Sequence, residues 1–273
     1  MKKLPFQAVA VDMDGTFLNE KSTFNKPRYA KIMPLLKQQQ VHFIIASGNE
    51  LLRCQNDLAE FSKDCDYVCE NGALAVASTG QEVYSHPIPQ QTVAASLNFL
   101  ANNYPEVNLV LSGRRHAYYS QRATPLFKEM IHHSYATWQE VPDLYNCYQN
   151  DEIYKITLNA SEEQVAQIIK NINQTTDIKI SGVTGSGPWM DLINPEDNKG
   201  HGLTQLLNYL HISPQKLLAF GDGGNDLEML ELAGISYAMA NGSDQVKEIA
   251  QNLAPSNTQD GVLLVLERYL SLS

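Results

Sequence analysis

The sequence predicts an α/β fold, a doubly wound, Rossmann-like parallel sheet into which a smaller α+β domain is inserted. Three observations carry this expectation. Short, largely apolar runs are each followed by Gly, Asp, Asn or Ser, which is how strands buried on both faces of a parallel sheet read. Helical stretches lie between them, as right-handed crossovers require. The middle of the chain breaks that alternation and reads instead as a hairpin and a mixed sheet.

In chain order, the first strand is expected at Phe6–Val11, a helix at Arg28–Gln39, the second strand at Val41–Ala46 and a helix at Glu50–Phe61. Leu74–Val76 and Glu82–Tyr84 flank Ser78, Thr79 and Gly80, the composition of a hairpin turn. A helix near Gln91–Asn102, strand-like runs at Val107–Leu111 and Ala117–Ser120, and a helix around Pro125–His133 follow. Next come a strand at Ile153–Leu158 and a helix at Ser161–Asn171, which Ser161, with Glu163 and Gln164 behind it, is suited to cap. Strands are also expected near Ile178 and Trp189. The strands Leu217–Phe220 and Ile235–Met239, with helices Gly202–Leu210, Asp226–Ala233 and Ser243–Gln251 around them, complete the core. The expected domains are a core of residues 1–84 and 187–273 and an inserted domain of 85–186.

A chain of 273 residues, 43% of them hydrophobic, is long enough for one large or two modest cores. Thirty acidic residues against twenty basic ones exclude a binder of phosphate backbones, which needs clustered Lys and Arg, so nucleic acid is not an expected partner. No apolar stretch reaches the length of a membrane span, and Asp12, Asp14 and Glu20 interrupt the first twenty residues, so no membrane association is expected and the location expected is cytoplasmic. Cys54, Cys65, Cys69 and Cys147 form no Cys-x-x-Cys pair and no zinc spacing, so ordinary reduced thiols are expected.

In open parallel sheets, ligands gather beyond the carboxyl ends of the strands. The polar residues that follow the apolar runs fall there: Asp12, Asp14, Gly15 and Thr16 after the first, Ser47, Gly48 and Asn49 after the second, and Asp222, Asn225 and Asp226 in "GDGGND". Four carboxylates on one edge repel one another unless a cation neutralises them, and oxygen ligands of this kind suit magnesium. Lys199, in "NKGHGL", precedes a helix near the same edge and offers an ammonium to a phosphoryl oxygen. Gly15, Gly48 and Gly223 allow backbone N–H groups close to an anion.

Taken together, these residues resemble the haloacid dehalogenase superfamily of phosphohydrolases. Asp-x-Asp-Gly-Thr at 12–16, Ser47 in "ASGN", Lys199, and Gly-Asp-x-x-Asn-Asp at 221–226 stand in the order and spacing of that family, across the whole core. The long insertion between Ser47 and Lys199 is similar to the α+β (C2B) cap of its Cof-type subfamily, as are "ENGA" at 70–73 and "NKG" at 198–200. The resemblance implies a magnesium-dependent phosphatase acting on small phosphorylated metabolites, sugar phosphates foremost. It implies that Asp12 attacks phosphorus to form an aspartyl-phosphate, while Asp14 protonates the leaving alcohol and then activates water. By the same resemblance, Asp12, the backbone carbonyl of Asp14, and Asp222 hold Mg2+, with Asn225 and Asp226 in support, and Gly15, Thr16, Ser47, Gly48 and Lys199 hold the phosphoryl group. Many members carry arginine where this chain has Asn49, so the contacts of that loop do not carry over.

Two other functions use the same residues: a phosphomutase with the same intermediate, and a phosphate-binding module without turnover. The α+β insertion counts against the first, because mutases of this superfamily mostly carry a helical cap. The presence of both Asp12 and Asp14 counts against the second. Glu70 and Asn71 read equally as a brace for the site loop or as a purely structural turn. His132 and His133 are neighbours on a helix and cannot both face one ligand. Arg114, Arg115, Tyr118, Trp138 and Trp189 have the chemistry to meet a polar substrate, but fold or surface roles account for them better, so they are not counted among the site residues.

Overall fold

The computed structural model describes residues 3–174, 179–184 and 189–272, which fall into two compact units. The larger comprises the chain up to Ser85 and from Asn198 onward, and the smaller is His86–Asp197. The larger unit is built on an eight-stranded sheet in the order Asn252–Ala254, Ile235–Met239, Leu217–Gly221, Ala8–Val11, His42–Ala46, Asp66–Cys69, Leu74–Val76 and Glu82–Ser85. The first six pair in parallel and the last two add antiparallel. Strand order runs outward in both directions from the junction of Ala8–Val11 with Leu217–Gly221, the switch point at which such sheets hold ligands.

Side chains alternate between the two faces of this sheet, and both faces are buried along Ala8–Val11 and Leu217–Gly221. Ala8 and Ala10 point to one face, where with Ala46 and Ala219 they leave room for Leu203, Leu206 and Leu207 of the helix Lys199–Tyr209. On the other face the ring of Phe43 meets Tyr29 of the helix Lys26–Gln38, edge to face at 5.4 Å. Asn25 caps that helix through a bond from Arg28 N at 3.1 Å. The expected helix Glu50–Phe61 is α-helical only over Leu51–Leu58 and continues as a 3-10 stretch over Ala59–Asp64, after Ala59 takes a φ of 52°.

The strands Asp66–Cys69 and Asn252–Ala254 and the helix Gly261–Leu270 of this unit escaped sequence reading. The strand Asp66–Cys69 is buried along its length, yet its first side chain is a carboxylate. Asp66 is held inside by Ser78 N at 2.8 Å and by His42 Nδ1 at 2.8 Å, and that charge broke the apolar signal. The helix Gly261–Leu270 lies beyond the last expected element. All four cysteines are buried, and the sulfurs of Cys54 and Cys69 lie 3.9 Å apart.

The smaller unit is a six-stranded sheet in the order Ser181–Thr184, Trp189–Ile193, Ile153–Asn159, Asn108–Gly113, Ala117–Ser120 and Trp138–Val141, antiparallel except for its last pair. Leu111, Ile156, Leu158, Met190 and Leu192 pack with Leu97 and Leu100 of the helix Gln90–Asn103 and with Ile168 and Ile172 of the helix Glu162–Asn173. Ser161 caps the latter as expected, accepting from Gln164 N at 3.3 Å. Val110 and Tyr119 belong to a second cluster with Phe127 and Ile131 of the helix Pro125–Ser134.

The position expected for the return to the core, 187, lies outside the described residues, as does Ile178. Trp189–Ile193 pairs with Ile153–Asn159 inside the smaller sheet, so the larger unit resumes only at Asn198. The two ends of the insertion meet: His86 Nδ1 lies 2.9 Å from Asp197 Oδ1, and Asn194 Nδ2 donates to His86 O at 3.1 Å. Within this unit Tyr118 donates to Asp151 Oδ2 at 2.9 Å, Arg114 to Glu152 at 2.8 Å, and His132 stacks on Trp138 at 3.6 Å. Among the described residues, no helix is long and apolar enough to cross a membrane.

Candidate active site

Two neighbouring parallel strands, in register with Val11 opposite Phe220, deliver Asp12 and, one residue past Gly221, Asp222 to the same sheet edge. Asp12 N still donates to Phe220 O, at 3.1 Å, and the chain then folds back through bonds from Phe17 N to Asp12 O and from Leu18 N to Met13 O. That return needs Gly15, whose φ is 83° and where a Cβ would lie 2.4 Å from Asp222 Oδ2. Thr16 donates its hydroxyl proton to Asp222 Oδ1 at 2.7 Å. Thr16 is expected on the phosphoryl oxygens, and here its hydroxyl meets a carboxylate because the tight turn aims its side chain at the adjacent strand end.

Lys199 opens the helix Lys199–Tyr209 and is fully buried. Its Nζ donates to Asp12 Oδ1 and to Asp226 Oδ1, both at 2.6 Å. The other oxygen of Asp226 accepts from the backbone of Asp222 at 2.9 Å and of Gly223 at 3.0 Å. The N–H of Gly223, expected to face an anion, is thereby committed to Asp226.

Asp12, Asp222 and Asp226 each bring a carboxylate oxygen within 4.8 Å of the others. Three carboxylates against one ammonium leave an excess of negative charge in a buried place. Burial pushes Asp12 well above its ordinary value of 3.8; Lys199 draws it down, and Asp226 and Asp222 push it up again. Burial raises Asp222 too, against the hydrogen bond from Thr16. For Lys199 burial acts to lower the ammonium, but Asp12 and Asp226 outweigh it and hold the group charged. Carboxylate oxygens with excess negative charge fit a hard divalent cation.

A second loop borders this cluster. Ser47 N donates to Val68 O at 2.8 Å, Asn71 N to Ser47 O at 3.2 Å, and Glu70 N to Asn49 O at 3.1 Å. Glu70 and Asn71 are both left-handed, with φ of 53° and 55°, and Gly72 follows at 101°. Ser47 accepts from Asn49 N at 3.1 Å, Gly48 lies against Asn71, and Asn225 Nδ2 donates to Asn71 Oδ1 at 3.3 Å. Glu70 and Asn71 thus brace the loop that carries Ser47 and Gly48. Asp14, exposed, accepts from Asn49 Nδ2 at 2.8 Å.

A Cβ at Gly72 would lie 2.0 Å from the carbonyl oxygen of Asn198, the residue before Lys199. Gly72→Ala is therefore expected to combine a strained φ, about 1–3 kcal/mol, with a backbone collision. Circular dichroism should show the thermal midpoint falling by about 2–4 °C for each kcal/mol lost.

Sequence reading missed Asn241 and Asn257. Asn241 Nδ2 donates to Gly15 O at 2.7 Å, while Asn257 donates to Asn241 Oδ1 at 3.0 Å and to Leu18 O at 2.9 Å, so both brace the loop after Asp12. The rule that polar residues follow strand ends, applied to Ile235–Met239, points to Asn241.

The chain has relatives among known proteins. The family model described as haloacid dehalogenase-like hydrolase matches residues 9–266. The chain is 34% identical over 268 residues to a 5-amino-6-(5-phospho-D-ribitylamino)uracil phosphatase of Escherichia coli K12, covering 98% of this chain and 97% of that protein. A protein of the same name from Bacillus subtilis 168 is 28% identical over 270 residues, covering 97% of each. Among solved structures, a protein of Streptococcus mutans UA159 is similar with a TM-score of 0.90 at 32% identity, covering 97% of this chain and 99% of that one.

Proposed function

Since the chain belongs to the haloacid dehalogenase-like hydrolases and is a phosphatase among them, we propose that it cleaves phosphate monoesters of small metabolites, with magnesium, through a covalent aspartyl-phosphate on Asp12. The observation that carries this reading is the setting of Asp12, at a strand end beside a buried ammonium and within reach of two further carboxylates. Asp12, Asp222 and the backbone carbonyl of Asp14 would hold magnesium, which would supply neutralisation of charge on the phosphoryl oxygens.

In the first step a carboxylate oxygen of Asp12 forms a bond to phosphorus as the bond from phosphorus to the ester oxygen breaks. Asp14, exposed and outside the Lys199 network, gives its proton to the departing oxygen. In the second step Asp14 takes a proton from water, whose oxygen attacks phosphorus, releasing phosphate and restoring Asp12. Lys199 draws Asp12 toward its ionised form against the burial that opposes it and, with Ser47, Gly15 and Gly48, is assigned to the phosphoryl oxygens. Thr16, Asn225 and Asp226 order the carboxylates and loops around them.

The substrate class is assigned to primary phosphate esters on polyhydroxy chains, and selection among them to the smaller unit. The names of the E. coli and B. subtilis relatives support this, because a phosphorylated ribityl chain is such an ester. Phosphate release should be measured from a panel including 5-amino-6-(5-phospho-D-ribitylamino)uracil and sugar phosphates, with Mg2+ and with a chelator. Chelation is expected to lower the rate by more than about 100-fold, in keeping with the several kcal/mol a metal supplies. Equal rates in both conditions would overturn the metal assignment. Conversion of a hexose 1-phosphate to the 6-phosphate without free phosphate would favour the mutase.

A further inference from the structure

The two aspartates of the first loop differ in what holds them. Asp12 is buried against Lys199, whereas Asp14 is exposed and its carboxylate meets Asn49, whose Nδ2 donates to Oδ2 at 2.8 Å. Asn49 is itself fixed on both sides of its Cα. Its N–H donates to Ser47 Oγ at 3.1 Å, and its carbonyl accepts from Glu70 N at 3.1 Å. Glu70 and Asn71 hold this arrangement through two successive left-handed residues, a conformation that persists only where its surroundings impose it. Such backbone is spent here on a short side chain with little rotamer freedom, aimed at one carboxylate oxygen.

We propose that Asn49 is a positioning residue for the reaction: its amide holds Asp14 by Oδ2, so that the proton moves through Oδ1. This inference rests on the reading of Asp14 as proton donor. The terminal torsion of an aspartate is broad and nearly two-fold, so an unheld carboxyl group presents either oxygen in many orientations. An oxygen that accepts an amide N–H is hindered from carrying its own proton toward the same donor, which leaves Oδ1 to carry it. Small losses of alignment in such a group lower rates steeply.

A bond that only steadies the loop would affect all substrates alike, so the test is a split between leaving groups. An alkoxide must be protonated as it leaves, and 4-nitrophenolate need not be. For Asn49→Ala, kcat/KM with ribose 5-phosphate is expected to fall about 10-fold or more, within the range of general-acid contributions, while that with 4-nitrophenyl phosphate changes less than about 3-fold. Asn49→Asp, equal in shape but without the donor, should show the same split, and Asn49→Gln, which keeps the amide, should recover part of the loss. In an Asp14→Ala background, Asn49→Ala should leave the ratio of the two substrates unchanged. Equal losses for both substrates in Asn49→Ala, or an unaltered rate with ribose 5-phosphate, would overturn the inference while the role of Asp14 stands. Equal losses for both substrates in Asp14→Ala would overturn the reading of Asp14, and the inference with it.

Discussion

Asp12→Asn is expected to abolish turnover of every phosphate ester, by at least about 10⁴-fold, because loss of a nucleophile removes the intermediate and not merely one stabilising contact. The change is nearly isosteric, and an amide oxygen can still accept from Lys199, so the loss is chemical. Rapid quenching should show base-labile phosphate on the wild type and none on the variant. The fold should not suffer. Burial already holds the Asp12 carboxyl well above its ordinary value, so its ionised form is unfavourable in the absence of a cation. In chelator, the variant is therefore expected to unfold at the same temperature as the wild type or higher, as happens where function is maintained against stability. Residual turnover within 100-fold of wild type would reassign the nucleophile.

The second large effect is expected at Lys199. Lys199→Met leaves Asp12 and Asp226 buried without the ammonium that each now meets at 2.6 Å. Breaking a buried ion pair by removing one partner destabilises by about 3–5 kcal/mol. The loss should depend on pH in a defined direction. Asp12, raised already, rises further without Lys199, so the folded variant binds a proton that the unfolded chain has released above about 3.8. Stability of the variant therefore falls as pH rises from that value through the raised one. It should also recover in part with Mg2+, since a cation that binds only the folded state stabilises it by mass action. Thermal unfolding across pH, with Mg2+ and with chelator, measures both dependences, and a variant as stable as wild type in chelator would contradict the charge balance described here.

The carboxylate-bearing sheet edge was legible because the strand that carries Asp12 announces itself: an apolar run stops abruptly at charged residues, and Leu217–Gly221 does the same before Asp222. The partnerships at that edge were not. Lys199 meets Asp12 across 187 positions, a contact that exists only once the strand order has brought both segments to the switch point. The bond from Thr16 to Asp222 was equally hidden, because a threonine after Asp-Gly reads the same whether its hydroxyl serves a phosphate or a carboxylate. Asp66 shows the opposite failure, a buried charge that concealed a strand because its two partners, Ser78 and His42, lie on other segments. Asn49 stood out in sequence only as a departure from arginine, and its bond to Asp14 gives that departure a physical meaning.

The clasp between His86 and Asp197 bears on how the larger unit comes to exist at all. An unstructured loop spanning residues 86 to 197 would burden the outer sheet with a closure entropy of about 4 kcal/mol, from the logarithmic dependence on loop length. A folded insert whose ends already touch relieves most of that burden before the strands flanking it meet. The sheet that presents Asp12 is thus entropically indebted to a segment with its own core, and unfolding of the insert should be felt in that sheet as a loss of stability.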